Sequence, residues 1–211
     1  MSAIYRHADD ANKKLKRYIG IQFQRYALLT KWDSLNVMRT VREMYAGIDD
    51  TCRAEYLRMA KAAYADAAKE IKLEKPDGKI DDLFIMAVLT MYSAKTEYRY
   101  DTEWERKAER LGESIIAVSD GETPNTNEIR RVMARAMTLA LGQIREMADT
   151  MTDEARIQVF KDAGIGRVMW NTQRDGNVCR ECAERDGMVY TIQNVPSKHH
   201  RCRCYMTAVN D

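Results

Sequence analysis

The sequence predicts a mainly α-helical protein: an elongated helical arm or bundle, followed by a small irregular α+β module rich in cysteine and histidine. The chain has only three prolines and ten glycines in 211 residues, too few breaks for an all-β fold with many turns. Apolar residues recur every three or four positions over long stretches, which is the helical period. Finally, four of the five cysteines and two of the three histidines lie within residues 179–204.

An apolar stripe predicts one long continuous helix after Trp32. Its members advance by three or four residues at a time, which places them on one helix face. They are Met38, Val41, Tyr45, Ile48, Cys52, Tyr56, Met59, Ala63 and Ala67. Because Cys52 belongs to this stripe, we expect it to be a buried core thiol that takes no part in any site.

Three further helices are predicted after the Pro76-Asp77-Gly78 turn. The first covers residues 83–118; it is apolar on every side over residues 83–92 and amphipathic afterwards. The next begins at Asn125, whose side chain caps it in a capping-box pattern with Glu128. A short last helix covers about residues 153–163, and Gly164 stands where a helix C-terminal glycine is expected.

These patterns divide the chain into a helical arm (1–120), connecting helices (121–163) and a Cys/His-rich terminal module (164–211). The stripe and the apolar stretch 83–92 offer more apolar surface than two helices can hide. We therefore expect residues 1–120 to dock on a partner or on copies of themselves, with the terminal module at the far end. The alternative is an intramolecular bundle in which the third helix, which begins at Asn125, covers the whole stripe.

Charge and hydropathy exclude some classes of protein. The net charge is +2, from 34 basic and 32 acidic residues, whereas a dedicated duplex-DNA binder is clearly basic. The basic run 13–17 is interpreted as a solvated helix face. We expect no secretion signal, because the first ten residues lack an apolar core, and no membrane span, because no stretch approaches ~20 apolar residues. In a reducing cytosol, clustered cysteines favour metal binding over disulfides.

The terminal module contains two short ligand pairs. Cys179-x2-Cys182 is separated by sixteen residues from His199-x2-Cys202, and a Cys-x2-Cys turn aims both thiolates at one point. We predict a structural zinc ion bound by these four residues. Cys204 is the alternative to Cys202, and His200 is the alternative to His199. Disulfides and unligated thiols are the remaining alternatives.

No enzymatic motif accompanies this cluster. The sequence has no phosphate-binding glycine loop and no nucleophile elbow, and Gly164-x-Gly166 lacks the third glycine of a dinucleotide site. A catalytic zinc would need an open position and a nearby base. The acidic residues beside the cysteines, Glu181, Glu184 and Asp186, are interpreted as solvated. We therefore predict that the protein is not an enzyme.

The same residues resemble the carboxyl-terminal signature of phage head morphogenesis proteins, the minor head (minor capsid) proteins related to the F protein of phage Mu. The matching positions are Trp170, Thr172, Asp175, Cys179, Cys182, Asp186, Gly187, Tyr190, Pro196, His199, Cys202, Arg203 and Cys204. Residues 160–165 are similar to the segment that precedes the tryptophan in this family. Met137 replaces a family glutamate and His200 replaces a family proline, so no role is expected for an acid at 137.

The resemblance implies a minor component of a tailed-phage virion, in the head, that acts near the portal vertex during assembly in the host cytoplasm. Its implied partners are the portal protein and the major capsid protein, with self-association and DNA contact as weaker implications, including a role in DNA packaging or ejection. Two other functions remain open: a zinc-dependent nucleic-acid-binding module, and a nuclease or transferase-like enzyme. In the binding module, the phosphate contacts would come from Arg174, Arg180, Arg185, Lys198, Arg201 and Arg203.

Overall fold

The computed structural model describes residues 3–27, 34–74, 76, 78–96, 100–119, 125–173, 176, 178–199 and 202–209. Within this part the fold is mainly helical and ends in a small antiparallel sheet, which confirms the predicted fold class. The helices are α1 Arg6–Ala27, α2 Ser34–Glu70, α3 Asp82–Thr96, α4 Tyr100–Val118, α5 Thr126–Asp162 and α6 Arg180–Arg185. The strands are β1 Arg167–Asn171, β2 Val189–Thr191 and β3 Tyr205–Ala208, and two single 3-10 turns lie at Ala3–Tyr5 and Ile192–Asn194.

The predicted stripe helix is confirmed as α2, but its apolar face is already covered. Every member of the stripe from Val41 onward is buried, including Cys52. The expectation of a spare apolar face on this helix is therefore wrong, and the structure favours the intramolecular alternative. Large apolar side chains are exposed on α3 instead, where Leu83 is 78% and Met86 44% accessible.

One predicted helix boundary is wrong. The helix predicted over residues 83–118 corresponds to α3 and α4; residues 97–99 between them lie outside the described residues, so its continuity stays a prediction. Conversely, the connecting helices are one helix, α5, with no break near Asp153. Thr150 and Thr152 lie just before the predicted start of the last helix. Their hydroxyls donate to the carbonyls of Glu146 and Ala148, at 2.9 and 3.0 Å, a bond that lets threonine sit inside a helix.

Both predicted ends of α5 are confirmed. The backbone N–H of Glu128 donates to Asn125 Oδ1 at 3.2 Å, which is an N-cap bond. At the other end Gly164 has a φ of +71°, and the N–H of Ile165 reaches back to the carbonyl of Phe160 at 2.8 Å. This is a Schellman motif, in which glycine allows the left-handed turn. The motif directs the chain from α5 straight into β1.

The chain forms two compact units. The first comprises Met1–Ala11, Tyr56–Ile85 and Glu146–Asp211, and the second comprises Asn12–Glu55 and Met86–Arg145. The boundaries of these units differ from those of the predicted segments 1–120, 121–163 and 164–211. The division into those three segments stays a prediction. In the second unit the Tyr45 ring contacts Phe23 and Trp104, with ring centroids 6.0 and 5.6 Å apart.

In the first unit, the sheet has the order β2-β1-β3, with both outer strands antiparallel to β1. Val168 and Trp170 alternate along β1 and are fully buried, as the two-residue period of a strand requires. They pack with Phe160 of α5 and with three of the cysteines, Cys182, Cys202 and Cys204, in one core. Three of the ligand-type residues therefore lie in the core of the terminal module, whereas Cys179 is partly exposed and His199 is exposed. Across the described residues, none of the helices combines the length and apolarity that crossing a membrane requires.

Candidate metal centre

The first ligand pair is formed by a helix start. Cys179 is the N-cap of α6, and its Sγ accepts a hydrogen bond from the backbone N–H of Cys182 at 3.4 Å. This turn places both thiols on the same side of the short helix. Cys182 points into the core and is buried, whereas Cys179 is partly exposed. The Cys-x2-Cys spacing thus produces the convergence that the sequence predicted.

The second pair arrives from the segment after Ile192–Asn194. The Nε2 atom of His199 lies 3.2 Å from Cys179 Sγ and 3.2 Å from Cys182 Sγ. The backbone N–H of Cys202 donates to the carbonyl of His199 at 3.0 Å, which closes the His-x2-Cys turn. Cys202 Sγ then lies 3.6 Å from Cys182 Sγ. The alternative histidine, His200, lies outside the described residues.

Two triads of ligand atoms result, and they share Cys182. In each triad all ligand atoms lie within 4.8 Å of one another: Cys179, Cys182 and His199 form one, and Cys182, Cys202 and Cys204 form the other. Zinc–sulfur bonds of about 2.3 Å and zinc–nitrogen bonds of about 2.0 Å give a tetrahedron with edges of about 3.4–3.8 Å. The measured separations of 3.2 to 3.6 Å are close to these edges. The residues present therefore suit a tetrahedral metal ion.

The five residues predicted as ligands all lie in this cluster, and the structure leaves the choice between Cys202 and Cys204 open. The four preferred ligands do not form a single group, because Cys202 belongs to the second triad. Cys52 belongs to neither triad. None of the five cysteines, all of which are described, forms a disulfide bond in the structure. The Cys182–Cys202 separation of 3.6 Å is also far longer than a disulfide bond of about 2.05 Å.

The four thiols of the cluster differ in pKa. A hydrogen bond from the Cys204 thiol lowers the pKa of Cys202 to about 5 and raises the pKa of Cys204 itself. The backbone N–H of Cys182 lowers the pKa of Cys179, while burial raises the pKa of Cys182 to about 12. Cys179 and Cys202 are thus favoured as thiolates, the form that binds metals.

Glu181 and Glu184 are solvated as predicted, with side chains 61% and 63% exposed, and all three carboxylates next to the cysteines bind groups other than the thiols. Glu181 pairs with Arg185, and Glu184 pairs with Arg180. Asp186 Oδ1 accepts the backbone N–H of Thr172 at 2.8 Å, which ties α6 to the end of β1. None of these three acids therefore supplies an evident general base at the cluster.

Four of the basic residues that would contact phosphate in a nucleic-acid-binding module are described, and each is paired with an acid. Arg180 and Arg185 pair within α6, as given above. Lys198 pairs with Asp153, and Arg203 lies 3.1 Å from Asp9 Oδ1. The other two, Arg174 and Arg201, lie outside the described residues. Each of these four described basic residues thus has an acidic partner, and two of the partners, Asp9 and Asp153, lie outside the module.

Sequence reasoning missed a group of residues that contacts the ligand segment from outside the module. Tyr5 near the amino terminus, together with Asp149 and Asp153 of α5, surrounds Lys198 and Arg203. The expectation that the terminal module lies away from the whole amino-terminal arm is therefore wrong for residues 3–11. The only sequence signal was the i,i+4 spacing of the two aspartates, which places them on one helix face.

Comparisons with protein-family models, with curated proteins and with solved structures found no match to this chain.

Proposed function

We propose that this chain is a non-enzymatic structural protein of a tailed-phage head, in which one zinc ion closes the carboxyl-terminal module. The observation that carries the proposal is the convergence of two ligand pairs far apart in sequence, with His199 Nε2 3.2 Å from both Cys179 Sγ and Cys182 Sγ. The fourth ligand is Cys202 or Cys204. The same spacing is part of the sequence signature that resembles the phage head morphogenesis proteins.

A structural role for the metal is supported by the number of ligands and the size of the module. Structural zinc is held by four protein ligands, whereas catalytic zinc keeps one position for water. The cluster offers five ligand residues among those described, so no position needs to stay open. The described part of the module has only three short strands, one short helix and one 3-10 turn, and small modules of this kind commonly depend on a metal for stability.

The ion pairs around the cluster favour the structural role over nucleic-acid binding. Affinity for DNA comes mainly from basic groups that neutralise phosphates and release counterions. Arg180, Arg185, Lys198 and Arg203 each have an acidic partner. Engaging phosphate would require these pairs to break. From residue 121 onward the chain has 13 basic and 12 acidic residues, which agrees with this interpretation.

The proposed partners are the portal protein and the major capsid protein, and the proposed place of action is the head near the portal vertex. Assembly would occur in the host cytoplasm, and the chain would then be part of the virion. This part of the proposal rests on the resemblance of the signature. The exposed apolar residues of α3, Leu83 and Met86, are available for such contacts, since the stripe of α2 is covered.

The test of the proposed function is a phage that carries an early stop codon in this gene. We expect heads or portal assemblies from infected cells to contain the chain in the wild type, and infectious particles to fall sharply in the mutant. Supplying the chain in trans should restore them, whereas a variant with Cys182→Ala should not. Sedimentation with immunodetection measures the first outcome and plaque titre measures the second.

The opposite results identify the other functions. If the chain is absent from heads and from all assembly intermediates, the proposal is wrong. A DNA affinity that falls steeply with salt would support the nucleic-acid-binding module. Metal-dependent DNA cleavage by the purified chain, lost on changing one acidic residue, would support an enzyme.

A further inference from the structure

Tyr5 joins the amino terminus to the segment that provides the candidate ligands. Its side chain is fully buried, and its hydroxyl lies 2.8 Å from the backbone carbonyl oxygen of Cys204 and 2.8 Å from Asp153 Oδ1. The ammonium group of Lys198 donates to the same hydroxyl at 2.8 Å. One hydroxyl group therefore contacts both ends of the ligand segment 198–204 and one aspartate of α5.

The ring of Tyr5 has a second set of contacts to the same segment. The guanidinium carbon of Arg203 lies 4.7 Å from the ring centroid, and Lys198 Nζ lies 5.5 Å from it. Cations at such distances are attracted by the ring face. Arg203 lies between the two candidate ligands Cys202 and Cys204, and Lys198 precedes His199. The two cations that contact the Tyr5 ring are thus adjacent in sequence to three candidate ligands.

The helix that follows Tyr5 adds an ion pair to these contacts. Asp9 on α1 lies 3.1 Å from an Arg203 guanidinium nitrogen, and Asp149 of α5 lies 3.8 Å from another. Lys198 pairs with Asp153. The side chains in this cluster are largely shielded from water, with exposures of 11–20% for the five charged residues. Such pairs depend on geometry, because removing one partner leaves the others buried and uncompensated.

We propose that residues 3–11, the amino-terminal segment, contribute to the metal centre. Metal binding and docking of this segment on the ligand segment 198–204 stabilise each other. Tyr5 acts as a positioning residue, since it holds the backbone at Cys204 and the side chains that flank the ligands. The inference rests on the proposed zinc site. It assigns to the amino terminus a role that neither the ligand spacing nor the proposed head function includes.

Thermodynamic linkage makes the proposed coupling reciprocal. If docking of the amino-terminal segment strengthens zinc binding by some factor, zinc must strengthen docking by the same factor. Groups that orient metal ligands from outside the coordination shell typically change metal affinity by about 10–100-fold when mutated. Tyr5→Phe keeps the ring and removes the hydroxyl contacts. We therefore expect zinc affinity to fall about tenfold, at the lower end of that range.

The experiment uses the full chain and measures two quantities. Zinc affinity is measured by competition with a chromophoric chelator for the wild type, Tyr5→Phe and the control Tyr64→Phe. Tyr64 is buried in the same compact unit and its hydroxyl also bonds an α5 aspartate, Asp162, at 2.7 Å. The same hydroxyl accepts the backbone N–H of Gly78 at 3.0 Å. Hydrogen exchange is measured over residues 3–11 in the zinc-loaded and the chelated protein.

We expect Tyr5→Phe to weaken zinc binding about tenfold and Tyr64→Phe to leave it within about twofold, below the effect expected for groups that orient ligands. Chelation should increase exchange over residues 3–11. Equal zinc affinities for the two variants, or unchanged exchange on chelation, would overturn the inference while leaving the zinc site intact. A wild-type chain purified without chelator that holds no zinc would overturn the proposed metal centre, and the inference with it. Elemental analysis distinguishes these two failures.

Discussion

Replacing Cys182 with alanine is expected to abolish zinc binding and to unfold the terminal module. Cys182 Sγ is the atom that both triads share, so neither triad is complete without it. Structural zinc contributes about 10–16 kcal/mol of apparent binding free energy in small zinc-binding peptides at neutral pH, and that binding is coupled to folding. We expect elemental analysis to find about one zinc per wild-type chain and close to none in the variant.

Cys52→Ala is the matched control for this change. Cys52 is as completely buried as Cys182, and its replacement by alanine also removes one sulfur atom. Cys52 belongs to neither triad, however. The control should keep its zinc and show only the modest loss of stability that follows a small core truncation. A Cys182→Ala protein that retains one zinc at wild-type affinity would contradict the proposed centre.

Trp170→Ala is expected to destabilise the terminal module by about 3–5 kcal/mol, the usual effect of truncating a fully buried tryptophan. Trp170 lies on the central strand β1, is 0% exposed, and packs in the core that contains Cys182 and Cys202. The Tyr190 ring meets it edge-on, at a centroid distance of 6.5 Å, and the Arg185 guanidinium lies 5.3 Å from its ring. Trp170 is therefore the packing anchor of the terminal module.

This effect can be measured by zinc release in increasing denaturant, because zinc release reports on the module rather than on the long helices. Met188→Ala is the control within the same module, where the side chain is 52% exposed. It should change the free energy of unfolding by no more than about 0.5 kcal/mol, as is usual for surface positions. A loss below about 1 kcal/mol for Trp170→Ala would mean that the core tolerates the cavity and would contradict its role as the anchor.

Local signals in the sequence were sufficient for much of the fold. The period of the apolar residues predicted α2, and the Asn125 cap and the Gly164 turn located both ends of α5. Each of these signals acts over one or two turns of helix, so it can be recognised without knowing what packs against the helix. The threonines before Asp153 show the limit. Threonine can cap a helix or bond back to a carbonyl within one. Burial inside the first unit selects the bond back to the carbonyl of the same helix.

The sequence by itself determined the helical class and the residues of the candidate metal centre, because ligand pairs at x2 spacing converge through a single turn of backbone. Only the tertiary structure decided what surrounds those ligands. The contact between Tyr5 and the carbonyl of Cys204 joins residues 199 positions apart. No spacing rule predicts such a contact, since it depends on how α5 and the amino terminus pack around the module. Packing also paired Lys198 with Asp153 and Arg203 with Asp9, whereas the pairs of Arg180 and Arg185 are local i,i+4 contacts.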